Sequence, residues 1–115
     1  MVTIKDTDPG MIANNLEPAF PTHPGEVLKD EIEYRGIRQN DLARRMGMSY
    51  TVLNEILNCK RPLTEKTALM FAAALGLNAE PLMRMQVRYN MRMARDNKAF
   101  MMKLESMRDE ATVTY

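Results

Sequence analysis

Residues 38–60 read RQNDLARRMGMSYTVLNEILNCK, and the way this stretch divides decides how the rest of the chain is read. Two short amphipathic runs flank the break Met46-Gly47-Met48-Ser49. The first run places Leu42, Ala43 and Met46 on one helical face; the second places Val52, Leu53, Ile56 and Leu57 on one face. Each predicted helix therefore has a core side and a free side. Ala43 is small enough for two helices to cross closely, Gly47 can take the left-handed conformation that ends a helix, and Ser49 supplies an N-cap for the next one. The free side of the second helix carries Tyr50, Thr51, Asn54, Glu55 and Asn58, all able to make hydrogen bonds. This is the sequence pattern of a helix-turn-helix that reads DNA.

The composition fits an all-α protein. Strand-forming residues are sparse, Trp is absent and Met occurs 12 times in 115 residues, a length that suits one modest core. The formal net charge of +1 would by itself argue against a nucleic-acid partner, but the charges are segregated. Met1 to Glu33 holds seven acidic and two basic residues; Arg35 to Lys66 holds seven basic and three acidic; Arg84 to Arg108 holds seven basic and two acidic. A near-zero sum thus conceals an acidic leader and two basic blocks. Cys59 is the single cysteine, which rules out an intrachain disulfide and suits a reducing compartment. With no signal peptide and no apolar run long enough to span a bilayer, the chain is expected to be cytoplasmic, with no membrane partner.

Four segments are expected. Residues 1–20 form a flexible acidic leader: either a terminus without a role, or one in which Ile12, Leu16 and Phe20, four apart, order against a partner or the domain's own surface. Residues 21–77 form the DNA-binding domain. Its first helix starts just after His23 or Pro24, with Val27, Leu28 and Ile32 facing inward, and Gly36 closes it. His23, an isolated imidazole in a Pro-rich turn, is read as structural. After the central pair comes a basic turn, Cys59-Lys60-Arg61-Pro62. Thr64 then caps a helix with Leu69, Phe71, Ala72, Ala73 and Leu75, nearly uncharged and expected at the centre of the core. Gly76 ends it, and Leu63 can staple onto Ala68.

Residues 78–108 are expected to form one long helix, capped by Asn78 with Glu80 in its first turn. Apolar residues at every second position from Met83 to Met93 formally match a strand. Eleven residues is long for a strand, however, no turn pairs it with another, and Met, Arg and Gln favour helix. As a helix running to about Met107 it would span on the order of 40 Å, so part of it should project or meet a second subunit. Arg84, Arg88, Arg92 and Arg95 make a basic stripe along it. Residues 109–115 are expected to fray.

Catalysis is not expected. Nucleophilic Ser or Cys chemistry usually needs a base, and the one His carries no signature; one His and one Cys do not make a transition-metal site; no glycine-rich phosphate cradle is present. No catalytic residue, metal ligand or cofactor is therefore assigned. Double-stranded DNA suits the residues better. Ser49, the cap of the second helix, is assigned to the DNA-binding set with Tyr50 and Thr51 in the turn after it; Tyr50 and Thr51 can reach base edges, with Asn54 beside them, and Glu55 can accept from a cytosine amino group. Arg38 and Gln39, at the start of the preceding helix, and Asn58, Lys60 and Arg61, after the second one, are placed to hold phosphates.

The run RQNDLARRMGMSYTVLNEILNCKR resembles the Xre helix-turn-helix family. Together with PTHPGEVLKDEI before it and LTEKTALMFAAALGLNAEPLMRMQ after it, the stretch from about Pro21 to Ala94 resembles the HigA antitoxins of bacterial toxin–antitoxin modules. The motifs that carry the resemblance are the tetrad His23 to Glu26, the Leu42-Ala43 pair, the Asn58 to Arg61 turn and the ending Ala74-Leu75-Gly76. It implies a five-helix, lambda-repressor-like fold, a homodimer on a palindromic operator, and a toxin partner of the HigB ribonuclease type. Three departures stand out. Arg38 replaces the Ser or Thr usual at that cap. Cys59 replaces the glycine of an Asn-Gly-Lys turn, putting a side chain where a left-handed backbone is needed. Met and Arg replace aromatic residues near Met83 to Met93. The expected function is an antitoxin that represses its own operon. A free-standing regulator without a toxin, and an interaction module whose helix-turn-helix is only scaffold, stay open as alternatives.

Overall fold

The computed structural model describes residues 20–114. Among them are six helices and no strand: α1 Pro24–Arg35, α2 Gln39–Met46, α3 Tyr50–Leu57, α4 Glu65–Leu75, α5 Ala79–Arg95 and α6 Lys98–Thr114. Most of the leader, including Ile12 and Leu16, lies outside the described residues.

Helix α1 begins where Pro24 pre-sets the helical φ and the His23 side chain caps it, its Nδ1 accepting from the Gly25 amide at 2.9 Å. It stops at Gly36, whose φ of 69° lets its amide return to the last turn. Pro24, Leu28 and Ile32, at intervals of four, form the buried line. Val27 is 41% exposed; the expectation that it faces inward fails because the buried line is only one row wide. Arg35, in the last turn, donates from Nη1 to the Leu75 carbonyl at 2.7 Å, tying the end of α1 to the end of α4.

The core joins Leu28 and Ile32 of α1, Leu42, Ala43 and Met46 of α2, and Leu53, Ile56 and Leu57 of α3 to Leu63, Ala68, Phe71, Leu75, Ala79 and Leu82. Phe71, with no exposed surface, is the largest of the fully buried side chains. Helix α4 thus reaches the centre, but on one side only, since Leu69 is 62% exposed. The Thr64 hydroxyl caps α4 by accepting from the Thr67 amide, and Leu63 and Ala68, in the staple arrangement, are both buried.

Asn78 takes the N-cap position of α5 without a side-chain hydrogen bond, so the expected cap is positional only. The expected single helix over 78–108 is broken at Asp96-Asn97, which is why six helices stand where five were expected. Short polar side chains there compete with the helical ladder. Asp96 accepts from Arg92 Nε at 3.1 Å, and the Asn97 side chain accepts from the Phe100 amide at 3.0 Å, starting α6 as a new helix. Helix α6 then runs to Thr114 instead of fraying from Asp109. It packs chiefly against α5, while α5 also touches α4 and α1.

Candidate nucleic-acid interface

The turn between α2 and α3 is built from local hydrogen bonds. Gly47, at φ 68°, donates to the Arg44 carbonyl, and the Met48 amide donates to the Ala43 carbonyl at 3.0 Å. The Ser49 hydroxyl accepts from the Val52 amide at 3.1 Å. Arg38 occupies the N-cap of α2 without a side-chain cap bond; it is highly exposed and shares a shallow hollow with Asp41, Arg44 and Tyr50. Arg44 donates to Asp41 at 2.6 Å and holds that carboxyl below the usual carboxylate range.

On the outer side of α3, Tyr50 and Thr51 are exposed. Asn54 is half-buried because its amide donates to the Gln39 side-chain oxygen at 3.1 Å, which fixes α3 against the start of α2. Asn58 turns back on the helix, donating to the Asn54 carbonyl at 2.8 Å. Its side-chain oxygen accepts from Lys29 Nζ at 3.1 Å. Glu55 is held by Arg61, and Lys60 is exposed with its amide closed on the Glu55 carbonyl at 2.8 Å. The chain reverses at Cys59, whose φ of 63° makes it the one non-glycine residue with positive φ among those described. Burial, and then the nearby Glu26 carboxylate, push the Cys59 thiol up. Six of the ten residues assigned from sequence are therefore linked to one another: Gln39, Asn54 and Asn58 in one chain of bonds, Glu55, Lys60 and Arg61 in another. Ser49 is occupied as a cap, while Arg38, Tyr50 and Thr51 remain open to solvent.

Two supports from outside the motif were not foreseen. Lys29 reaches the end of α3 from α1, and no local pattern signals a contact between residues 29 apart. Gln86, 2% exposed on α5, accepts from the Leu63 amide at 2.7 Å and donates to Asn90 at 2.9 Å, anchoring the chain just beyond the basic turn. A polar residue in the middle of an apolar stripe was the available clue. The start of α1 presses on the same region: His23 is buried, its ring meets Tyr89 edge-on at 4.8 Å, and Phe20 meets Tyr89 at 5.7 Å. Burial draws the His23 pKa down.

Among the described residues no group of three or more His, Cys, Asp or Glu side chains is placed to hold a metal ion, and no helix is long and apolar enough to cross a membrane. What the arrangement offers chemically is a polar helix face with uncommitted hydroxyls, flanked by cations.

A family model described as Helix-turn-helix matches residues 28–82. Virulence-associated protein I of Dichelobacter nodosus is 34% identical over 85 residues, spanning 73% of this chain and 77% of that protein. An addiction module antidote protein of the HigA family from Coxiella burnetii has a solved structure that superposes with a TM-score of 0.65 at 30% identity, covering 75% of this chain and 95% of that one. The Pseudomonas aeruginosa antitoxin HigA, solved with the higBA promoter, gives a TM-score of 0.66 at 27% identity, covering 74% and 94%.

Proposed function

Since this chain belongs to the Xre-type helix-turn-helix family, among its HigA-type antitoxins, we propose that it binds its own operator as a homodimer and neutralises a HigB-type ribonuclease. The observation that carries the DNA half is the first turn of α3. Tyr50 and Thr51 are exposed on a helix whose start is capped by Ser49 and whose angle to α2 is fixed by the Gln39–Asn54 bond. Rigid presentation of a few polar side chains from a helix N-terminus is what major-groove reading requires. Arg38, Gln39, Asn58, Lys60 and Arg61 flank that turn as phosphate contacts.

The second copy is supported by the outer face of α5. Met83, Val87 and Met91 lie along a groove of about 570 Å³ with Glu80 near one end and Arg95 near the other. About a two-fold axis at Val87, the stripe matches itself: Met83 of one copy meets Met91 of the other, and Glu80 falls opposite Ala94, beside Arg95. For the toxin, the acidic residues of the 1–20 leader suit the basic surface that a ribonuclease presents to RNA.

The test is co-expression with the small basic protein encoded in the adjacent reading frame, together with a footprint on the DNA upstream. Co-purification, restored growth and a protected palindrome are expected. A chain that protects the palindrome but neither binds nor neutralises the neighbouring product would be a free-standing regulator, and the antitoxin half would fall.

A further inference from the structure

Arg61 lies six positions after Glu55, beyond the reach of pairing along one helix face. Its guanidinium nonetheless donates two hydrogen bonds to a single oxygen of the Glu55 carboxylate, from Nε at 3.0 Å and from Nη2 at 2.7 Å. The left-handed turn at Cys59 makes this possible by folding the chain back over the end of α3, where the Lys60 amide closes on the Glu55 carbonyl. Glu55 is the one charged residue in α3, and both members of the pair are partly exposed. A carboxylate brought to the major groove is repelled by phosphates and has one good base partner, the amino group of cytosine. The edge of Arg61 that holds Glu55 is the same edge that would grip a phosphate.

We propose that Glu55 and Arg61 form an exchangeable pair that couples base reading to phosphate contact, a proposal that rests on the DNA-binding reading above. On DNA of arbitrary sequence the pair stays closed, and neither group engages the duplex. On a site that offers cytosine beneath Glu55, the carboxylate accepts from the base and Arg61 turns to the neighbouring phosphate. One correct base then brings two contacts, and discrimination exceeds what the base contact alone supplies.

The experiment measures binding of the full chain to the footprinted operator and to an unrelated duplex of equal length over a range of salt, for the wild type, Glu55→Gln and Arg61→Gln. For the wild type, the salt dependence on the operator should be steeper than on the unrelated duplex by about 0.9 per engaged subunit, one more phosphate being neutralised. Glu55→Gln frees Arg61, so affinity for the unrelated duplex should rise by about threefold per subunit and the two slopes should converge. Arg61→Gln should weaken operator binding more than binding to the unrelated duplex, where only the uncovered charge of Glu55 acts, and equal losses on the two duplexes would count against the exchange. Equal slopes in the wild type, or a Glu55→Gln chain that treats unrelated DNA as the wild type does, would overturn the exchange while leaving DNA binding intact. Failure of the wild type to bind either duplex would instead overturn the DNA-binding reading.

Discussion

Gly25 and Ile56 meet backbone to backbone: a β-carbon built on Gly25 would lie 2.0 Å from the Ile56 carbonyl oxygen. The start of α1 is thereby pressed onto the end of α3, and only the absence of a side chain permits it. Gly25→Ala must push the two apart, so it should destabilise the fold by about 1–3 kcal/mol. Denaturant unfolding checks the magnitude. Because the displaced element carries Asn58 and the basic turn, DNA affinity should fall as well, even under conditions where the variant is fully folded.

Cys59 carries a side chain at a φ of 63°. A non-glycine residue held there costs about 1–2 kcal/mol, which the smaller entropy loss of a non-glycine chain partly offsets. Cys59→Gly should therefore stabilise by up to about 1 kcal/mol. Cys59→Val, with a branched β-carbon, should do the opposite. Urea midpoints of the two variants beside the wild type give the comparison, and a more stable Val variant would contradict the strain.

His23 gives stability a dependence on pH with a definite sign. Burial lowers its folded pKa below the ordinary value of 6.5, so below that pH the unfolded chain binds the proton more readily than the folded one. Its contribution is complete above about pH 6.5 and is lost as the pH falls through the window beneath it. Protonation also removes the Nδ1 lone pair that accepts from Gly25. His23→Asn keeps a capping oxygen without the titration, and its unfolding free energy should be flat from about pH 7.5 to about 5.5 where that of the wild type declines.

Gln86→Leu leaves the Leu63 amide buried without its acceptor. A buried donor stripped of its partner costs about 1–3 kcal/mol. The loss should be visible in thermal unfolding, and hydrogen exchange at the Leu63 amide should accelerate more than at the amides of α1.

Substitutions on the DNA face should separate by kind. If Thr51 meets a base as proposed, Thr51→Ala should alter sequence preference by about 1–3 kcal/mol. Lys60→Ala should weaken all duplexes alike and lower the salt slope by about one. Competition binding against a panel of operator variants distinguishes the two patterns, and a Lys60→Ala effect confined to one base position would reassign that residue.

The features legible in the sequence are those governed by neighbours in the chain. Gly36, Gly47 and Gly76 end their helices at left-handed φ, Ser49 and Thr64 cap theirs, and the break between α2 and α3 falls where the apolar period restarts. Those signals act within a turn or so of helix, and the sequence displays them directly. What was hidden depends on approach from elsewhere. Val27 and Leu69 are as apolar as Leu28 and Phe71, and only the packing of α1 and α4 decides which rows are covered. Lys29 against Asn58, Arg61 against Glu55 and Gln86 against Leu63 are meetings between segments that no spacing rule relates. The break at Asp96-Asn97 was written locally, in two helix-disfavouring residues side by side, but was outweighed by the periodicity on either side.

That break has a mechanical meaning. Helix α6 reaches the body of the protein chiefly by way of α5, and α5 is also the element that clasps the Leu63 amide through Gln86. Helix α6 thus rests on the same helix whose inner side fastens the chain just beyond the basic turn, so the tail and that turn share one support.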